Sequence, residues 1–129
     1  MASPDREFAD YCCELLASVG PCTARRMFGG WGIATGGLNI AIIAWDTLYL
    51  KANADTTPQW VAAGGRPFTY EARGRIHQLH YYTAPDDAME SPQHMASWAR
   101  LALEAALKAR KPPAKRLTRA RQPAARKRG

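Results

Sequence analysis

Apolar side chains near the start of the chain fall on one face of a helix. Phe8, Tyr11, Cys12, Leu15, Leu16 and Val19 recur at helical spacing, the mark of an amphipathic segment. Ser3 followed by Pro4 supplies a hydroxyl cap and a first helical residue whose missing N–H costs nothing. Gly20-Pro21 ends the helix. From Thr23 to Tyr82 the pattern shortens to strands between glycine-bearing turns. Residues 23–28 read as a strand that bends at Gly29-Gly30 and continues from Trp31 to Ala34. Thr35-Gly36-Gly37 is a turn. Residues 38–45 are apolar on both faces except for Asn39, as in a central strand covered on both sides. Asp46-Thr47 reads as a tight hairpin turn. Leu48 and Leu50 then alternate with Tyr49 and Lys51 in a half-buried strand.

Residues 55–65, with Thr57-Pro58 and Trp60-Val61-Ala62-Ala63, predict a short helix. Residues 68–72 and 76–82 flank a hairpin at Arg73-Gly74-Arg75. Ser91-Pro92 opens the last helix, with Met95, Trp98, Ala99, Ala102 and Ala106 as its packing stripe; Pro112-Pro113 stops it at the latest. The predicted order is α-β-β-β-α-β-β-α. It implies an α+β domain with a mainly antiparallel sheet of about five strands and flanking helices. Residues 1–110 form the domain, and residues 111–129 are a Pro/Ala/Arg/Lys tail expected to be disordered.

Charge divides the chain at the same place. The net charge is +7, but from Lys108 onward there are ten Lys or Arg and no acid. The body keeps eight basic residues against all 11 acidic ones, a mild excess of negative charge. In the tail, Lys111, Lys115, Arg116, Arg119, Arg121, Arg126, Lys127 and Arg128 are candidate nucleic-acid contacts. Such a segment binds polyanions by counterion release. No aromatic residue follows Trp98, so the tail has no ring for base stacking and its binding is expected to be sequence-independent. The bland alternative is a tail that only solubilises.

Catalytic and metal chemistry find little support. The three histidines lack ligand spacing: His77 and His80 fall on opposite faces of a strand, and His94 lies in the first turn of a helix. Cys22 stands beside two arginines, which would lower its pKa, but no base or oxyanion motif accompanies it. Cys12 reads as a small core residue. Asp86-Asp87 precedes the last helix, where negative charge is favourable. No catalytic residue, metal or cofactor is therefore expected. Three cysteines, two of them adjacent, suit reduced cytoplasmic thiols, and the mixed-charge N-terminus does not resemble a signal peptide. No apolar run is long enough to span a membrane, so no membrane partner is expected.

The stretch Arg25-Arg26-Met27-Phe28-Gly29-Gly30-Trp31-Gly32 concentrates charge, large apolar groups and glycine. It lacks the ending of a phosphate loop. Along a strand, Arg25 shares a face with Met27, and Arg26 shares the other with Phe28. One guanidinium thus starts from the core side, where it either snorkels or joins a structural ion pair, with Glu14, Asp46 and Glu71 as candidate partners.

With Val19-Gly20-Pro21 before it, this stretch resembles the hallmark of the N-terminal domain of the TfoX (Sxy) family of bacterial competence regulators. Ala41-Ile42-Ile43-Ala44, Leu48-Tyr49-Leu50-Lys51, Pro67-Phe68-Thr69-Tyr70 and Trp98-Ala99-Arg100 are similar to its later landmarks. The resemblance spans about residues 4 to 110. It implies an α/β-sandwich-type domain, similar to secretion-chaperone-like folds, that self-associates through its sheet or helices and has no enzymatic activity. It also implies positive regulation of competence genes, acting with the cyclic-AMP receptor protein at certain promoters. Two-domain members continue into a second globular domain where this sequence has its basic tail. The resulting expectation is a non-enzymatic regulator whose partners are DNA at the tail, a protein of the transcription machinery or another regulator, and a second copy of the chain. The competing expectation is a protein- or ligand-binding module with no nucleic-acid role.

Overall fold

The computed structural model describes residues 4–27 and 29–109. Ser3, Phe28 and the tail from 110 onward, including every candidate tail contact, lie outside them. Helix α1 (Pro4–Leu15) is followed by a 3-10 turn at Ala17–Val19. Four strands come next: β1 (Cys22–Met27), β2 (Gly30–Thr35), β3 (Leu38–Ala44) and β4 (Thr47–Lys51). Helix α2 (Thr57–Ala62), strands β5 (Pro67–Ala72) and β6 (Arg75–Tyr82), a 3-10 turn at Asp86–Glu90 and helix α3 (Pro92–Ala109) complete the order. The strands form one antiparallel sheet ordered β1-β2-β3-β4-β6-β5.

The α+β class and the antiparallel sheet are as the sequence predicts, but the count rises to six because the motif does not bend and continue. Met27 pairs with Gly30 and Arg25 with Gly32, so the chain reverses between Met27 and Gly30 in a hairpin. Gly29 supports the reversal with φ +80, a region costly for other residues. The β3–β4 hairpin shifts by one residue from the predicted Asp46-Thr47 turn: Ala44 pairs with Thr47, so its turn residues are Trp45 and Asp46.

Paired residues share a face of the sheet, which fixes what the helices cover. Trp31, Ile33, Ala41, Ile43, Leu48, Leu50 and Tyr82 are buried, and the register places them all on one side. They form a single core with Ala9, Cys12, Leu15 and Leu16 of α1 and Met95, Ala99, Ala102 and Ala106 of α3. Alternation breaks once in β3. Ile33 pairs with Ala41 but Ala34 with Asn39, leaving Ile40 as an extra residue. Ile40 and Ala41 are both fully buried as a result, and Asn39 moves to the opposite face.

Among the described residues, no helix covers that opposite face. The two-sided apolar pattern of β3 therefore does not signal a strand sandwiched between helices. Ile42 lies instead in a groove that the sheet itself makes.

Helix α3 begins as its sequence predicts, with the Ser91 hydroxyl accepting the His94 N–H at 3.2 Å. Helix α2 is pinned by Trp60, fully buried and 4.8 Å from the Trp98 ring. The Trp60 indole N–H has no hydrogen-bond partner among the described residues. No described helix is long and apolar enough to cross a membrane. Trp60→Ala should destabilise the protein by about 3–5 kcal/mol. Trp60→Phe should cost about 1 kcal/mol, because the N–H it deletes bonds nothing. Denaturant titration of both variants checks the contrast.

Candidate functional site

The uncovered face of the sheet is a groove of about 630 Å³, and none of its described lining residues carries a charge. Met27 of β1 and Tyr70 of β5 come from opposite edges of the strand order, yet both line it. The sheet must therefore curl strongly. Part of the curl comes from β6, where Pro67 pairs with Tyr82 but Phe68 with Leu79. Two extra residues on one strand increase bend and twist. Across the groove, the Asn39 amide donates to the Tyr81 hydroxyl at 3.0 Å, so the residue shifted by the β3 bulge ties the two walls together.

Aromatic rings dominate one wall. Trp45 stacks on Phe68 at 5.4 Å and 19°, and Tyr49 meets Phe68 edge-on at 5.2 Å. Phe68 neighbours Tyr70 at 6.2 Å, and Tyr70 stacks on His77 at 5.1 Å. Trp45 is 69% exposed, and its backbone has φ +51. A bulky residue in that region carries strain of about 1–3 kcal/mol. A large apolar ring held in solvent on a strained turn is an expensive arrangement for a residue that serves only packing.

The hallmark residues divide between the two faces. Gly30 lines the groove, and Gly32 lies buried on the same side of the sheet, where other groups approach closely. A Cβ at Gly30 would lie 2.1 Å from the Ile43 carbonyl oxygen, and one at Gly32 would meet Met27 Sδ at 2.5 Å and Asn39 Oδ1 at 3.1 Å. Trp31 turns its ring to the helix side. The Arg26 guanidinium sits 4.6 Å from that ring and bonds Asp5 of α1 at 2.8 Å, while Arg6 lies 5.3 Å from the same ring. Arg26 is thus the structural member of the pair, holding α1 against the β1–β2 hairpin. Its partner is Asp5, not Glu14, Asp46 or Glu71, because the helix N-terminus packs over this hairpin. Arg25 pairs with Gly32 on the groove side, is exposed, and makes no ion pair among the described residues.

Residues 14–106 match the TfoX N-terminal domain family. The chain belongs to that family. A search of curated proteins finds no match. The match covers the sheet, both groove walls and most of α3, but begins after Asp5 and Arg6. Family membership thus attaches to the curled sheet and its glycine floor, and it makes the chain a member of a regulatory family.

The thiols of this TfoX-family domain are not activated. Burial, then the neighbouring Cys13, pushes Cys12 up to about 12 from 9.0. The same causes push Cys22 up to about 11. The sequence expectation for Cys22 fails because Arg26 turns to Trp31 and Asp5, while the Cys22 thiol faces the carbonyls of Gly20 and Leu16. Cys13 is also raised, by burial and then Asp10, with Arg6 opposing. His94 is engaged by Ser91, and His77 stacks on Tyr70. Among the described residues no three metal-ligating side chains converge.

Two outcomes test this construction. Gly30→Ala should cost about 3 kcal/mol, since backbone must move, whereas Gly32→Ala should cost about 1 kcal/mol, since the Met27 tip can swing away. Chemical denaturation distinguishes them. The thiols bear on alkaline stability. Above pH 9 the unfolded chain releases thiol protons that folded Cys12 and Cys22 retain, so stability falls as pH rises from 9 towards 11. A Cys12→Ala/Cys22→Ala double variant should show a shallower decline of Tm over that range.

Proposed function

We propose that this chain is a non-enzymatic regulatory protein of the cytoplasm. Its folded body recognises a partner, and its tail, residues 111–129, supplies sequence-independent attraction to DNA. The observation that carries this reading is the open sheet face, where the family's glycines shape an uncharged, aromatic-lined surface, with no nucleophile–base pair beside it among the described residues. The exposed backbones of the two edge strands, β1 and β5, offer a second surface, suited to a protein of the transcription machinery or to a second copy of the chain. The tail supports the DNA element of the proposal through its charge, since ten consecutive charged positions from Lys108 onward are all basic.

The test is a salt titration of duplex-DNA binding. If about half of the ten charges engage phosphates, affinity should fall with a log–log slope of about −4 to −5. Replacing the eight tail residues from Lys111 to Arg128 by glutamine should abolish that binding and leave the thermal unfolding curve unchanged. Duplex binding that survives the replacement overturns the role given to the tail.

A further inference from the structure

The groove face sorts its chemistry in a way that selects one kind of occupant. Its stacked rings form a row, Trp45–Phe68 and Tyr70–His77, with centroid separations of 5.4 and 5.1 Å inside each stack. Each stack keeps an outer member in solvent, Trp45 at 69% and Tyr70 at 40% exposure. The register sets three cations on the same face of the sheet as the row. Arg25 lies opposite Gly32, Lys51 opposite Tyr81, and Arg75 opposite Ala72. The Lys51 ammonium sits 5.1 Å from the Tyr81 ring.

The carboxylates are elsewhere. Asp5, Glu7, Asp10, Glu14 and Glu104 ride on the helices covering the other face, and Glu71 alternates away from Tyr70. Asp55 precedes α2, and Asp86, Asp87 and Glu90 lie in the 3-10 turn before α3, while Asp46 sits in the turn beside Trp45. A body acidic overall thus carries these three cations on the same face as its exposed rings.

We infer that this face binds single-stranded nucleic acid, with unpaired bases stacked on Trp45 and Tyr70 and the phosphates held by Arg25, Lys51 and Arg75. Sheets with one face covered by helices and the other carrying exposed rings recognise unpaired bases in this way. Stacking tolerates any base, and it excludes a duplex, whose bases already stack on one another. A neutral apolar ligand would use the rings but leave the cations idle. The inference deepens the reading of the body as a recognition module and is independent of the tail, which has no rings.

The experiment uses the full chain with oligo(dT) and oligo(U) of about twelve nucleotides, and with a duplex of equal length. Trp31 and Trp60 are buried, and Trp98 is half-buried on α3 against Trp60, so quenching of tryptophan fluorescence by the single strands reports chiefly on Trp45. The expected result is quenching by both single strands and little by duplex. Measured by anisotropy of a labelled oligonucleotide, Trp45→Ala and Tyr70→Ala should each weaken single-strand affinity about tenfold. Neither should change the salt slope or duplex affinity. Arg25→Gln should lower the slope by about one phosphate contact.

The tail-neutralised chain separates the two proposals. It should lose duplex binding while keeping the dependence of single-strand binding on Trp45. Four results overturn the inference: no quenching, affinities of both aromatic variants within about twofold of the parent, equal loss of duplex binding, or a change in self-association in place of oligonucleotide binding. Because Trp45 and Tyr70 lie at the surface, circular dichroism should show both variants folded, and quenching in the unaltered chain is a readout that needs no variant.

Discussion

The single extra residue in β3 governs both faces of the sheet. With strict alternation, Asn39 would share a side with Ala41 and Ile43 and point into the core, where its amide would need a buried partner. The bulge at Ile40 removes that conflict. It buries two consecutive apolar residues under the helices and sends Asn39 across the groove to the Tyr81 hydroxyl. The link between walls exists only because the register slips there. The second irregularity, between Pro67 and Phe68 on β5, acts in the same sense by curling the β5–β6 hairpin towards β1. Two local faults in pairing turn a flat sheet face into a concave site.

Stability and recognition are thereby placed on opposite sides. The helix side holds the packed core, and the Arg26–Trp31–Asp5 cluster clasps α1 to the first hairpin. An exposed ion pair alone contributes little. The ring beneath the guanidinium adds a cation–π contact of about 0.5–1 kcal/mol and fixes its direction. The other side stores cost rather than stability, in the positive φ of Trp45 and in rings left in solvent. Beyond Lys51, strand β6 runs on without β4 beside it, and Ile76 is 71% exposed on that extension. A two-stranded ribbon of this kind has little stability of its own, so the groove wall it carries depends on Phe68 packing against Trp45 and Tyr49.

The glycine-rich hallmark now has a physical meaning that differs by residue. Gly29 permits the reversal, Gly30 admits the Ile43 carbonyl, and Gly32 leaves room for Met27 and Asn39. Trp31 and Arg26 serve the helix side, while Arg25 stays available at the groove. Phe28 lies outside the described residues.

The sequence by itself determined the helices, all the strands but the split of the first, and the α+β class, because these follow from short-range periodicity and turn chemistry. It also determined the split between an acidic body and a basic tail, and the family. Local pattern made α1, the Thr35–Leu38 turn, the Arg73–Gly74 hairpin and the Ser91 cap legible. It did not show that the motif reverses into a hairpin, since a glycine pair permits both a bend and a reversal, and only the pairing of β1 with β2 in the folded sheet chooses between them. Nor could it show which carboxylate meets Arg26, because Asp5 lies on a different element and is brought near by packing. The groove was least legible of all. Its rings come from the β3–β4 turn, β4, β5 and β6, far apart in sequence, and they share a wall only because two register slips curl the sheet.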